Sequence, residues 1–181
     1  NITNALERSR QTTPWKDQGN QYVLDLLRWS ICAMDWRIME AKWQFVVPPM
    51  LRMIDDIDVE WKAKGCHLLC LLLHRSDQLS DRDRSGEKSM TSRGIGDFLR
   101  RSGYDNVFAE ALTGLFTDIP TLTPEAESVA LFQEARPAVT SLALVLPVSH
   151  GVKDERRQLL DRIIREGIVS PLAHFSQPAA Y

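Results

Sequence analysis

Cysteine is scarce in this chain, with three in 181 residues. The number is odd, and Cys66 and Cys70 sit inside one apolar stretch. That excludes a disulfide scaffold and fits reduced thiols in an intracellular compartment. An excess of charge of one sign is missing too. Lys and Arg number 22 against 24 Asp and Glu, a formal net charge of -2, so nothing forces a polyanionic partner such as nucleic acid. No apolar run reaches the roughly 18 residues of a membrane span, and the opening NITNALERSRQTTPWKDQ lacks the basic-then-apolar order of a signal peptide. Alternating apolar and polar residues never persist long enough for a strand, which leaves an all-α class.

What the chain does have is a complete helical hairpin in VVPPMLRMIDDIDVEWKAKGCHLLCLLL, Val46 to Leu73. A first helix carries Pro48 and Pro49 and ends on Asp55 and Asp56. A second opens with Trp61, Lys62 and Gly65 and continues through Leu68, Leu69 and Leu72. Asp56 or Asp58 can accept hydrogen bonds from the free amides that open the second helix, with its charge opposing the positive end of the dipole. Gly65 permits close backbone approach at a crossing, against a cost of about 1 kcal/mol in helix propensity. This arrangement resembles a HEAT repeat, and such a hairpin buries its apolar faces only by stacking on neighbours, as in a short α-α superhelix.

In chain order, 1–19 is polar and carries Pro14, which predicts a short helix over Asn4 to Arg10 and a linker. The repeat domain is expected over 20–181. Gln21 to Met34 is amphipathic, with Val23, Leu26, Leu27, Ile31 and Met34 on one face. A second helix, with Asp35 as its cap, runs through Trp36, Met39, Trp43 and Phe45 to Ile54, kinked or broken at the prolines. The third covers Val59 to His74. Arg75 to Arg93, RSDQLSDRDRSGEKSMTSR, has almost no large apolar residue and is expected to be a mobile loop, whose serines are either phosphorylated or simply solvated.

A short helix around Ile95, Phe98 and Leu99 ends at Ser102 and Gly103. Asp105 is placed to cap the next, which carries Val107, Phe108, Ala111, Leu112, Leu115 and Phe116 on one face. After a connector over Thr117 to Leu122, Thr123, Pro124 and Glu125 form a helix start of hydroxyl cap, proline and first-turn acid. That helix continues through Val129, Phe132, Ala135 and Leu142, kinked at Pro137, and a last one spans Lys153 to Gly167 with Leu159, Leu160, Ile163 and Ile164. The chain begins without Met and ends on SPLAHFSQPAAY without an evident cap, which fits a piece of a longer protein with further repeats.

Chemistry-bearing clusters are few. Cys66, Cys70 and His74 lie one turn apart along a single helix face, a spacing that ligates zinc if a fourth group approaches and that any core-facing stripe also gives. Asp55, Asp56 and Asp58 lack the glycine and distal glutamate of a calcium loop. Ser149 and His150 have no orienting acid, and Gly94-Ile95-Gly96 has no preceding strand. Arg93, Arg100 and Arg101 form one local basic cluster among interleaved acids. The expectation is of no catalytic, cofactor-binding or metal residue. Contacts are sought among large apolar side chains, Trp36, Trp43, Trp61 and Phe132, each of which core packing would also explain.

WQFVVPPMLRMIDDIDVEWKAKGCHLL, paired with VFAEALTGLFTDIPTLTPEAESVALFQEARPAV some forty residues on, resembles the TEL-two-interacting protein two family over Asp35 to Leu146. The shared features are the Pro-Pro helix, the acidic pair, the Lys-x-x-Gly-Cys turn, the Val-Phe-x-x-Ala-Leu helix and the Leu-Thr-Pro-Glu-x-Glu-Ser start. Arg136 replaces a usual aromatic, Tyr104 to Asn106 replaces a more apolar lead-in, and Arg75 to Arg93 is longer and more charged. The resemblance implies a non-enzymatic cytoplasmic and nuclear subunit of the Triple T complex. Its companions are TEL-two and TEL-two-interacting protein one, and the complex links phosphatidylinositol-3-kinase-related kinases to the heat-shock chaperone machinery. Through those kinases it implies roles in the DNA-damage response, telomere maintenance and TOR signalling. An unrelated scaffold of the karyopherin or phosphatase-scaffold type is the alternative.

Overall fold

A computed structural model describes residues 16, 20–34, 36–82, 91–122, 124–146 and 154–170. Among them every regular element is helical: α1 (Gln21–Ala33), α2 (Trp36–Ile54), α3 (Val59–Arg82), α4 (Thr91–Ser102), α5 (Tyr104–Leu122), α6 (Glu125–Val145), α7 (Glu155–Arg162) and a π-helical segment, Ile163–Val169. The chain separates into two compact units, Asn1–Val46 and Val47–Tyr181, so the boundary falls inside α2.

In the first unit the interior positions are Ile31, Met39, Trp43 and Val46. Leu26 does not share the buried face expected for it. It is 55% exposed, and with Tyr22 and Trp29 it forms a second apolar stripe on the other side of α1.

The second unit opens with the end of α2, where Val47, Met50, Met53 and Ile54 are buried. The helix is not broken at Pro48 and Pro49. Pro48 is exposed, as are Gln44 and Phe45, the residues whose carbonyls the two prolines leave without an amide, so water can satisfy what the prolines remove. Asp58 then caps α3, its Oδ1 accepting from the Glu60 amide at 2.9 Å. Asp56 steadies the turn by accepting from the Asp58 amide at 2.9 Å.

From this cap α3 continues past His74 to Arg82. RSDQLSDR contains no glycine or proline to stop it, and polar residues of this kind are tolerated on a helix surface. Of the segment expected to be a loop, 83–90 lies outside the described residues, while Thr91 already opens α4. Gly103, with φ of +76°, ends α4 in the left-handed conformation that spares glycine a steric cost. The helix that follows starts at Tyr104, so Asp105 lies within its first turn rather than at its cap. It also absorbs the expected Thr117 to Leu122 connector.

Two helix pairings organise this unit. In α5 and α6, Phe116 meets Phe132 edge-on at 6.0 Å between ring centroids. One turn on, the Ser128 hydroxyl donates to the Ile119 carbonyl at 2.9 Å. Numbers rise along one helix as they fall along the other, so the pair is an antiparallel hairpin. In α3 and α6, His67 meets Glu134 and His74 meets Ser141, both at a separation of 67 residues, so these helices run parallel. Corresponding helices of successive hairpins pack in this way when repeats stack side by side.

The core of the second unit includes Leu68, Leu69, Leu72, Leu99, Phe108, Leu112, Leu131 and Leu142. At the end of α6, Arg156 donates to the carbonyls of Leu144 and Leu146 at 2.9 and 3.4 Å, supplying cationic donors to a helix C-terminus. On the last elements Leu159 and Ile163 are buried, but Leu160 and Ile164 are exposed, which splits the stripe expected of them. Ser170 is still helical.

Candidate interaction surface

Burial decides which of the large apolar residues can meet a partner. Trp43, at 4% exposure, belongs to the interior of the folded chain. Trp61 is half-buried on the first turn of α3, with the Lys64 ammonium 4.3 Å from its ring centroid. Lys64 also pairs with Glu60 at 2.6 Å, so the indole is partly roofed by a cation. Phe132 is 41% exposed, the outer member of the pair with Phe116. The side chain of Trp36 lies outside the described residues, as does Thr123.

The other signature residues have structural positions. Pro48 is exposed and Pro49 half-buried; Asp55 is exposed beside the buried Asp56; Lys62 is half-buried on α3. At Gly65 an added Cβ would lie 2.8 Å from the Ile54 amide nitrogen and 3.0 Å from the Met53 Cβ, which makes this the crossing point of the first hairpin. Pro124 stands at the N-cap of α6 rather than inside its first turn, accepting from the Ser128 amide at 2.8 Å, with Glu125 and Glu127 following.

Sequence patterning missed most of the exposed apolar surface. In the first unit it comprises Tyr22, Leu26 and Trp29 on α1, with Ile38 and Phe45 on α2. The signal was present, since positions 22, 26 and 29 follow helical spacing on the side opposite Val23, Leu27 and Ile31. A helix apolar on two sides has more apolar surface than one neighbour covers. In the second unit Val129 is exposed beside Phe132, one turn away on α6. A shallow depression on α7 is lined by Asp154, Arg156, Arg157, Leu160, Asp161 and Ile164.

The Cys66, Cys70 and His74 stripe divides. Cys66 is fully buried, and its thiol is pushed up to about 12, first by burial and then by the Glu134 charge. Cys70 and His74 instead meet each other, Sγ to Nδ1 at 3.3 Å. Among the described residues no three His, Cys, Asp or Glu side chains converge as a metal site would require. Arg101, from the basic cluster, donates through Nε to the Asp97 carbonyl. Ser149 and His150 lie outside the described residues. No described helix is long and apolar enough to cross a membrane.

Neither the curated proteins nor the solved structures contain a match to this chain. The family comparison is positive and wider than the two sequence blocks that carry the resemblance. The Tti2 family model matches residues 2–180, so it takes in α1 and the last helix as well as the central hairpins. With nearly its whole length matched, and with an all-helical structure throughout the described residues, the chain belongs to the Tti2 family.

Proposed function

We propose that this chain is a non-catalytic scaffold subunit of the Triple T complex, cytoplasmic and nuclear, working beside TEL-two and TEL-two-interacting protein one. In that role it supports the folding, stability and assembly of phosphatidylinositol-3-kinase-related kinases with the heat-shock chaperone system. The observation that carries the reading is the family match across residues 2–180.

The geometry supports it in two ways. The parallel seam of α3 on α6 is what stacking of HEAT-like hairpins produces, and such stacks present extended faces to other proteins. The exposed Tyr22, Leu26 and Trp29 on α1, and Val129 with Phe132 on α6, are aromatic and aliphatic anchors of the kind that dominate binding energy when a partner excludes water from them. A stable interface of standard size removes about 1,600 Å² from solvent. Several helix faces must contribute to that, so the surface is expected to extend beyond either cluster.

Affinity purification of the full-length protein from its native cell at moderate salt, with mass spectrometry of what remains bound, tests the proposal. Recovery of TEL-two, TEL-two-interacting protein one and large kinases of the family is expected. Recovery of nuclear-transport cargo or phosphatase subunits in their place would overturn it. Trp29→Ala and Phe132→Ala sharpen the result. Truncating a true anchor costs at least about 2 kcal/mol of binding, roughly a thirtyfold loss of affinity. Trp29→Ala should do so with little change in melting temperature, whereas Phe132→Ala also removes the edge contact with Phe116 and should lower it.

A further inference from the structure

The seam between α3 and α6 contains a polar cluster that the scaffold role does not use. His74 Nδ1 lies 3.3 Å from Cys70 Sγ, 2.9 Å from Ser141 Oγ and 3.2 Å from the Cys70 carbonyl oxygen. The Ser141 hydroxyl donates to the Pro137 carbonyl at 2.8 Å and lies 3.6 Å from Cys70 Sγ. A carbonyl oxygen can only accept, so its position beside Nδ1 favours the tautomer with the proton on that nitrogen. The single Nδ1 proton is then shared among the carbonyl, the Ser141 oxygen and the sulfur, with a hydroxyl that can swing towards the sulfur as a second donor.

We propose that Cys70 is a modification site, a thiol held by His74 and Ser141 for attack on soft electrophiles, with small hydroperoxides as the reactant class. The thiolate is the reactive form, and donors aimed at sulfur stabilise its charge. After the thiol proton has left to water, the sulfur attacks the distal oxygen of the hydroperoxide. An S–O bond forms, the O–O bond breaks, and the leaving alkoxide takes a proton from water. Sulfur is oxidised by two electrons to the sulfenic acid and the peroxide is reduced to an alcohol. His74 and Ser141 are positioning residues and lose no atoms. Because Ser141 stands on α6 and Cys70 on α3, the added oxygen enters the seam between two helices.

The other two thiols make the experiment self-controlled. Cys32 is exposed on α1 and serves as the reference; Cys66, one turn before Cys70, is buried and unreactive while the fold holds. The full chain is treated at neutral pH with limiting iodoacetamide and, separately, with dilute hydrogen peroxide followed by a sulfenic-acid trap, and each cysteine is followed by peptide mass spectrometry. Cys70 is expected to alkylate about tenfold faster than Cys32 and to collect most of the sulfenic acid. His74→Ala should bring its rate to that of Cys32, and His74→Asn, whose amide restores a donor near the Nδ1 position, should recover part of the difference. Cys66 must remain protected in each variant; where it does not, Ser141→Ala takes that variant's place, with an intermediate rate expected. Equal labelling of Cys70 and Cys32 in the native chain overturns the proposal. So does an undiminished Cys70 rate in His74→Ala while Cys66 stays protected.

Discussion

The two hairpins of the second unit close by opposite means. Where the end of α2 meets α3, the contact depends on a side chain that is missing: Gly65 lets α3 approach within 2.8 Å of the Ile54 amide nitrogen, measured from where a Cβ would stand. The turn before it is fixed by two carboxylates, Asp56 and Asp58. Between α5 and α6 the contact depends on side chains that are present, the Phe116 and Phe132 edge and the Ser128 to Ile119 bond. Gly114 of α5 has no atom within 4 Å of an added Cβ. Similar hairpins therefore need share no residue at equivalent places, which explains why the sequence shows helical periodicity without a readable internal repeat.

Gly65→Leu tests the first hairpin and should have the largest effect. The nearest obstacle is backbone, which cannot rotate away, so the loss belongs near the top of the overpacking range, about 3 kcal/mol. For a chain of this length that lowers Tm by roughly 6–12 °C. A Tm within a degree of the native value, measured by circular dichroism, would remove Gly65 from the crossing and with it the contrast between the hairpins.

Asp58→Ala and Ser128→Ala compare the two ways of fastening a turn. The first removes a helix cap, at about 1 kcal/mol. The second removes one hydroxyl donor between helices, also about 1 kcal/mol. Hydrogen exchange separates them. Asp58→Ala should speed exchange at the first amides of α3 alone, whereas Ser128→Ala should loosen the end of α5 together with the start of α6. Spread of the Asp58→Ala effect into the body of α3 would mean that the cap holds the hairpin and not only its turn.

Helix existence was legible because apolar residues recur at a period that survives any tertiary context, and the cap at Asp58 follows from a short acid placed before a helix. Helix length was less legible. Arg75 to Arg82 reads as loop because Leu79 is its one apolar residue, yet a helix already anchored by Leu68, Leu69 and Leu72 extends through them. Facing was the least legible. Val129, Phe132, Leu160 and Ile164 have core-like character and Leu26 core-like spacing, but all five are exposed, since pattern alone cannot say whether a face meets this chain or another. The α3 and α6 seam was invisible for a related reason. Its polar contacts join residues 67 apart, and no local window contains both partners.

The smallest effect should also have the opposite sign. Gly114→Ala places a methyl group in open space on the exposed side of α5, where glycine has no close neighbour to accommodate and pays only its conformational cost. Replacing it should stabilise the chain by about 0.5–1 kcal/mol, partly by restricting the unfolded state. Tm should rise by roughly 1–4 °C. Set beside Gly65→Ala, which gains the same propensity but meets the Ile54 backbone, the pair isolates packing from propensity. A fall in Tm for Gly114→Ala would show that α5 too is crossed closely at this point, and the two hairpins would then be variants of one design.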